Sequence, residues 1–435
     1  MIDAILIAGY MGLLIIIGVR SWAKGEMFLL ADRNLNAFST MTTINASKTG
    51  AILMILVALS FLYGVSAIWF FIGSAVGILL FLPFALHLKH EGAHYYTVAD
   101  YFLAHCGKSA ARITSVMTII IMTLFLLSNI IAGMKVLSFF WQWPYWLSGL
   151  VLTSIVAFYL STGGFRAVVR TDTIQYIALI GILALFAIMF RSGAQPMDWD
   201  LFTLPLPMLI SFFILGIIFP FAMPEMWQRV YAAKGKRQII GGFLSAALIF
   251  ILSAVLLILI GLSIKSRFPS VDPDIALLYG FANMLPPGLL GLGILMLFSA
   301  LMSSMDTYLF TASSALVQDW LPKKTTVRNM RITFWILGIL TTGIAILFPD
   351  LLISTFIMAA ISTVLAAAVI MAWKGISGVN YALIGGLLAV SSATLLMYFR
   401  TGDISPLIIL YALSGVIMGM AVFWLRHSAQ NRAPR

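Results

Sequence analysis

Runs of about 20 apolar residues recur along the whole chain, each long enough to cross roughly 30 Å of hydrocarbon as an α-helix. The expected spans are 3–19, 38–63, 65–87, 113–137, 143–161, 172–191, 206–223, 239–264, 286–314, 330–348, 351–373, 381–399 and 406–425. Such a chain folds in lipid, where every backbone polar group needs a partner inside the protein. Alternating ten-residue segments that would build a barrel do not occur. The expected fold class is therefore an all-α integral membrane protein with 13 transmembrane helices.

Lys and Arg set the orientation. With the N-terminus outside, twenty fall in cytoplasmic segments, Arg229, Lys323, Lys324 and Arg435 among them, and only Arg191, Lys265, Arg267 and Arg400 in outer ones. A multi-pass protein of the plasma membrane with a cytoplasmic C-terminus is expected. The net charge of +11 does not point to nucleic acid, because the basic residues sit singly in loops. One cysteine, Cys106, excludes an intrachain disulfide and a Cys-based metal cluster. The first apolar run lacks a basic n-region and a small-residue cleavage site, so it reads as a retained helix. Loops are short and no soluble domain is expected. Residues 88–111 read as an interfacial cytoplasmic segment. Residues 266–285, with Pro269, Asp272, Pro273, Asp274 and the Pro286-Pro287 pair, read as an outer loop with a short helix.

Residues 299–319 continue an apolar run from Gly288 yet carry a carboxylate and many hydroxyls. At about 100° per residue, Ser299, Ser303, Ser304, Asp306, Thr307, Thr311, Ser313 and Ser314 share one half of a helix, and Leu301, Met302, Met305, Tyr308, Leu309 and Ala312 the other. An intramembrane acid costs about 3 kcal/mol by insertion scales and marks an ion or substrate pathway. Any single hydroxyl could instead bond its own i−4 carbonyl.

The second span is as unusual. Ser39, Thr40, Thr42, Thr43, Asn45, Ser47, Lys48 and Thr49, followed by Gly50, surround the helix, so no face suits lipid. Asn45 to Gly50 is a candidate break whose freed carbonyls could ligate a cation. Five spans later the helix at 206 carries Gly216 and Pro220. Paired interrupted helices predict two inverted five-helix repeats, helices 2–6 and 7–11, with accessory helices. The corresponding divisions are 1–37, 38–192, 193–374 and 375–435. Lys48, some 15 Å deep, needs a partner: an acid such as Asp306, a substrate carboxylate, or water. Lys135, near the outer end of its span, is expected to snorkel. Asp172 is either a first-turn acid favoured by the helix dipole or part of an ion-release path. His90-Glu91-Gly92-Ala93-His94 matches H-E-x-x-H, a zinc-protease pattern that requires a helix and a third ligand. His87 and His105 read as ordinary interfacial residues.

Four motifs in order then resemble the solute:sodium symporter family: Ala31-Asp32-Arg33-Asn34-Leu35, the run Gly163 to Gln175, the run Pro224 to Lys234, and the run Ser299 to Thr307. The resemblance implies a leucine-transporter-type fold, alternating access and sodium-driven uptake of small organic solutes, and no enzyme activity. It implies a sodium site on the carbonyls of Thr43, Ala46 and Ala300 and the hydroxyls of Ser303 and Ser304. A second cation position or release route would use Asp172, Ser303, Asp306 and Thr307. Family members usually have a small or neutral residue at Lys48 and a hydroxyl at Asp306, so the two are expected to compensate each other.

The function expected is sodium-coupled symport of a small polar organic solute, with carboxylate-bearing solutes the first candidates. The substrate would lie against Asn45, Ser47, Lys48, Thr49, Gly50, Asn129, Phe213 and Gly216. No cofactor is expected beyond sodium, the partners are the solute and the bilayer, and the chain could act as a monomer. The alternatives are proton coupling, a sodium-independent carrier in which Lys48 replaces a cation, a transporter-like sensor, and an intramembrane metalloprotease at 90–94.

Overall fold

A computed structural model describes residues 2–191, 199–286, 289–321 and 326–432. Pro287, Gly288, Lys323, Lys324 and Arg435 lie outside these ranges, as does the expected 192/193 boundary. The helices are α1 (Ile2–Arg20), α2 (Gly25–Leu30), α3 (Ala37–Thr49), α4 (Ile52–Tyr63), α5 (Trp69–Glu91), α6 (Val98–Trp141), α7 (Tyr145–Arg191) and α8 (Leu206–Ala222). They continue as α9 (Pro224–Ala232), α10 (Lys236–Arg267), α11 (Ala276–Met284), α12 (Leu290–Trp320), α13 (Thr326–Leu347), α14 (Leu351–Trp373), α15 (Val379–Thr401) and α16 (Ile408–Arg432).

Nine helical runs among the described residues are long and apolar enough to cross a membrane, or ten with the bent pair α8–α9. The difference from thirteen has identifiable sources. Ile52–Glu91 has 40 residues and Tyr145–Phe186 has 42, each about twice what the hydrocarbon core requires at 1.5 Å per residue. Each is interrupted by a glycine in the left-handed region, Gly64 at φ 66° and Gly164 at φ 55°. The expected spans 65–87 and 172–191 begin beyond these glycines. Of α1 only Gly9–Arg20 is fully described, too few residues to be counted as a span.

Two helices are broken inside the bundle. α3 ends at Thr49 and α4 starts at Ile52, with Gly50 between them at non-helical angles. α8 and α9 meet at 45°. Met223 adopts an extended conformation there (φ −92°, ψ 98°), as a residue preceding proline does, and Pro224 opens α9 where its missing N–H costs nothing. The second break thus lies at Met223, not at Gly216 or Pro220, both of which sit within α8. Residues 224–232, read from sequence as loop, form a helix with all nine residues buried.

α12 runs through the centre, packed on α1, α3, α6, α7 and α13. Both of its faces are buried: Leu301, Met302, Met305 and Leu309 are as enclosed as Ser303, Ser304 and Asp306. Its apolar half therefore meets packed side chains rather than lipid. α11 supplies the expected short helix, and Lys135 donates to Asp274 at 2.6 Å rather than standing free.

α5 and α8 approach so closely that backbone touches backbone. A Cβ on Gly73 would lie 2.3 Å from the Phe213 carbonyl oxygen, one on Gly77 2.3 Å from that of Ile217, and one on Gly216 2.3 Å from that of Phe70. Gly216 is thus a packing residue. Gly73→Val is expected to cost about 1–3 kcal/mol by overpacking and to lower the thermal midpoint in detergent. Gly181→Val, where nothing lies within 4 Å, should leave that midpoint unchanged.

Candidate functional site

At the break in α3–α4, the polar groups of the backbone find partners on other helices. The Gly50 N–H donates to Ser304 Oγ (2.9 Å) and the Ala51 N–H to Asn129 Oδ1 (2.8 Å). Asn129 is held in turn by its Nδ2 donating to the Phe125 carbonyl at 2.8 Å. A Cβ on Gly50 would stand 2.1 Å from Asn129 Oδ1 and 2.3 Å from Ser304 Oγ. Only glycine fits.

In an unbroken helix the Ala46 carbonyl would accept from the Gly50 N–H. Here it is released to the hydroxyls of Ser303 and Ser304, each 3.2 Å away. Ser303 also reaches the Ala300 carbonyl (2.9 Å). Two carbonyls and two hydroxyls from α3 and α12 thus converge, a donor set of hard oxygens. The Thr43 hydroxyl donates to Asp172, and its hydroxyl and carbonyl oxygens accept from Arg229 at 3.1 and 3.5 Å.

Arg229, counted from sequence as a cytoplasmic loop residue, is fully buried. Its Nη2 also donates to Thr307 Oγ1 (2.8 Å) and lies 3.6 Å from Asp172 Oδ2, and the guanidinium stacks near the Phe165 ring. One side chain on α9 thereby touches α3, α7 and α12. Asp306 accepts from the Tyr159 hydroxyl (2.7 Å) and from Thr171 (3.3 Å), and is within electrostatic reach of Asp172.

Lys48 is not paired with Asp306. Sequence offered Asp306 as a partner but could not show that Tyr159 and Thr171 occupy the acid. The Lys48 ammonium instead lies over the rings of Phe219 (5.8 Å) and Phe250 (5.4 Å), and its Nζ has no hydrogen-bond partner. The carboxylate whose charge acts on it is Glu225, buried on α9 with neither oxygen bonded. Among the described residues the fully enclosed charged side chains are Lys48, Asp172, Glu225, Arg229 and Asp306. Three carboxyl groups thus share the core with two basic side chains.

Beside the break lies a cavity bounded by Lys48, Gly50, Ser128, Asn129, Tyr308 and Thr355, with walls that include Phe70, Phe125, Phe212 and Phe219. Of the expected substrate residues, Lys48, Gly50 and Asn129 reach it. Ser47 and Thr49 turn their hydroxyls to the carbonyls of Ile44 (3.0 Å) and Ala46 (3.0 Å) on their own helix. Asn45 is buried with its amide unbonded and does not line this cavity. Phe213 packs edge-on against Trp69; its neighbour Phe212 lines the cavity instead, one residue round the helix.

Sequence reasoning missed Glu225 and Arg229 because an i, i+4 acid–base pair reads as a solvated helix face. The usable signal was the absence of Gly, Ser, Asn or Asp from Pro224–Ala232, which argues against a loop. It also placed Tyr308 on the apolar half of its helix, where its hydroxyl in fact donates to the Ser47 carbonyl at 2.5 Å. Arg229→Met should cost about 3–5 kcal/mol by leaving Asp172 buried and unpaired. Adding Asp172→Asn should recover most of that loss, read as thermal midpoints of the single and double variants.

A model of the sodium:solute symporter family matches residues 28–373. The osmoregulated proline transporter OpuE of Bacillus subtilis is 25% identical over 321 residues, 67% of this chain and 65% of its own. Sodium/glucose cotransporter 4 of Mus musculus is 25% identical over 378 residues, 72% of this chain and 54% of its own. The chain thus spans less than two thirds of the length of these relatives. The solved structure of a Na+-coupled sialic acid symporter, substrate-bound and outward-open, superposes with a TM-score of 0.77 over 96% of both chains at 17% identity. That likeness shows a shared fold, the leucine-transporter type. A nucleobase-cation-symport-1 family transporter has the same architecture at a TM-score of 0.53 and 10% identity, over 92% of this chain and 95% of its own. The family is one of transporters, not of enzymes, so the protease reading of residues 90–94 falls. With most of its length matched by the family model, the chain belongs to the sodium:solute symporter family.

Proposed function

We propose that this protein is a sodium-coupled symporter that carries a small carboxylate-bearing solute across the plasma membrane by alternating access. The observation that carries the reading is the meeting of the freed Ala46 carbonyl with Ser303 and Ser304, in a core that holds three carboxyl groups and two basic side chains. A desolvated carboxylate is costly, and a monovalent cation among oxygen ligands offsets that cost. Sodium there takes Ala46, Ala300, Ser303 and Ser304 as ligands. Asp172, Asp306 and Thr307, with Arg229 among them, form the route or second position toward the cytoplasm. The relatives' names, a proline transporter and a sodium/glucose cotransporter, support solute uptake as the activity.

The lining of the cavity favours an acid over a polyol. The hydroxyls of Ser128, Tyr308 and Thr355 and the Asn129 amide already bond protein carbonyls. Lys48 Nζ is the unpartnered cationic donor at this surface, and the walls are aromatic. A carboxylate on an apolar body satisfies both. Because Ala46 and Lys48 are two residues apart on the same broken helix, cation and solute share one mobile element, which is a physical basis for coupling. The Lys48 ammonium lies against Phe219 and Phe250 rather than among the serine hydroxyls, which favours sodium over a lysine that replaces it. In the same reading the repeats are 38–192 and 193–374, the N-terminus is outside, and a monomer suffices.

In proteoliposomes, an inward sodium gradient should drive uptake of a monocarboxylate. Ser303→Ala combined with Ser304→Ala should raise the half-saturating sodium concentration at least tenfold. Uptake that persists without sodium and follows an inward proton gradient would establish the proton-coupled alternative. Lys48→Met should abolish thermal stabilisation by the carboxylate solute while leaving stabilisation by sodium in place; loss of both together would refute the separate role given to Lys48.

A further inference from the structure

The histidines that matter at residues 87–105 are not those of the H-E-x-x-H pattern. α5 ends at Glu91 and Gly92 follows as its cap, so His90 and His94 do not share a helix face. Glu91 instead meets His87, one turn earlier on α5, and His105, on the first segment of α6. That segment is set off from the rest of α6 by Gly107 at φ 82°. His87 Nε2 lies 3.3 Å and His105 Nε2 3.2 Å from the same oxygen, Glu91 Oε2, and one ligand atom from each of the three lies within 4.8 Å of the others.

The protons decide what this arrangement is for. His105 Nδ1 is 2.9 Å from the Tyr101 carbonyl. A carbonyl only accepts, so Nδ1 carries the hydrogen, and the Nε2 of a neutral ring presents a lone pair. In that form the Nε2 lone pair and the Glu91 oxygen are both acceptors, and a second imidazole aims at the same oxygen. One divalent ion satisfies all three groups. Ligand atoms about 2.0–2.1 Å from a tetrahedral zinc are about 3.4 Å apart, close to the spacings found here. The bond from Nδ1–H to a backbone carbonyl is the usual outer-shell partner of a metal-bound histidine. Tyr101 also stacks on His105, ring centroids 4.1 Å apart, fixing the ring plane.

We propose that His87, Glu91 and His105 form a binding site for a divalent transition metal ion of the zinc class, with the fourth position open to solvent. The three side chains are about one third exposed, so an ion can enter from the aqueous side. Bound there, it staples the end of α5 to the segment Val98–Cys106 and restrains their relative motion.

The full-length protein, purified in detergent through a tag without histidines and stripped with chelator, should bind one equivalent of Co2+ with a saturable visible absorption band. Zn2+ should displace the band. His87→Ala and His105→Ala should each abolish it, Glu91→Gln should weaken binding at least tenfold, and His90→Ala with His94→Ala should change neither. Equal thermal midpoints without metal establish that the variants are folded. A wild-type protein with no saturable band, or a band that survives the His87→Ala/His105→Ala double variant, overturns the site.

Discussion

A helix interrupted within lipid exposes N–H and C=O groups that water cannot reach, and leaving one unpaired costs several kcal/mol. The arrangement of the core follows from meeting that requirement at Gly50. Ser304 on α12 and Asn129 on α6 take the two freed N–H groups, and Tyr308 takes the Ser47 carbonyl. Those bonds fix how α12 and α6 lie against α3–α4, and they bring Ser303 to the Ala46 carbonyl as a consequence. The hydrogen bonds that make the break tolerable are therefore the ones that assemble a hard-oxygen donor set. Glycine at the break is a steric necessity of the same arrangement.

Charge imposes the second constraint. Burial of the Arg229 guanidinium would be prohibitive alone. Asp172, Thr43, Thr307 and the Glu225 carbonyl surround it. Asp306 and Glu225 are buried in the same core, which holds three carboxyl groups and two basic side chains. In the proposed reading, ion binding and helix geometry depend on the same few side chains of α3, α7, α9 and α12.

The apolar runs made the fold class legible, because span length is a direct consequence of bilayer thickness. The hydroxyl face of α12 and the break at Gly50 were legible too, since polar residues crowded into a long apolar segment are too costly in lipid to stand without partners. Depth could be read from position; neighbours could not. Lys48 and Asp306 were expected to be partners, yet Tyr159 holds the acid and aromatic rings receive the amine. Pro224–Ala232 was misread because its charged pair looks solvated until the bend at Met223 turns it inward. Phe212 and Phe213 differ by a rotation of about 100°, finer than a span boundary known to a few residues can resolve. Lys135 was assigned to water because its acid, Asp274, belongs to a loop distant in sequence.

The glycine contacts between α5 and α8 bear on how such a protein can move. Side chains between helices act as a compliant layer: they change rotamer and let one helix slide over another. At Gly73, Gly77 and Gly216 that layer is missing, and main chain rests on main chain. A ratchet of one helix past the other has no lubricant there. The pair is bound to travel as one rigid beam, which leaves the bends at Gly50 and Met223 to serve as the joints on which it swings.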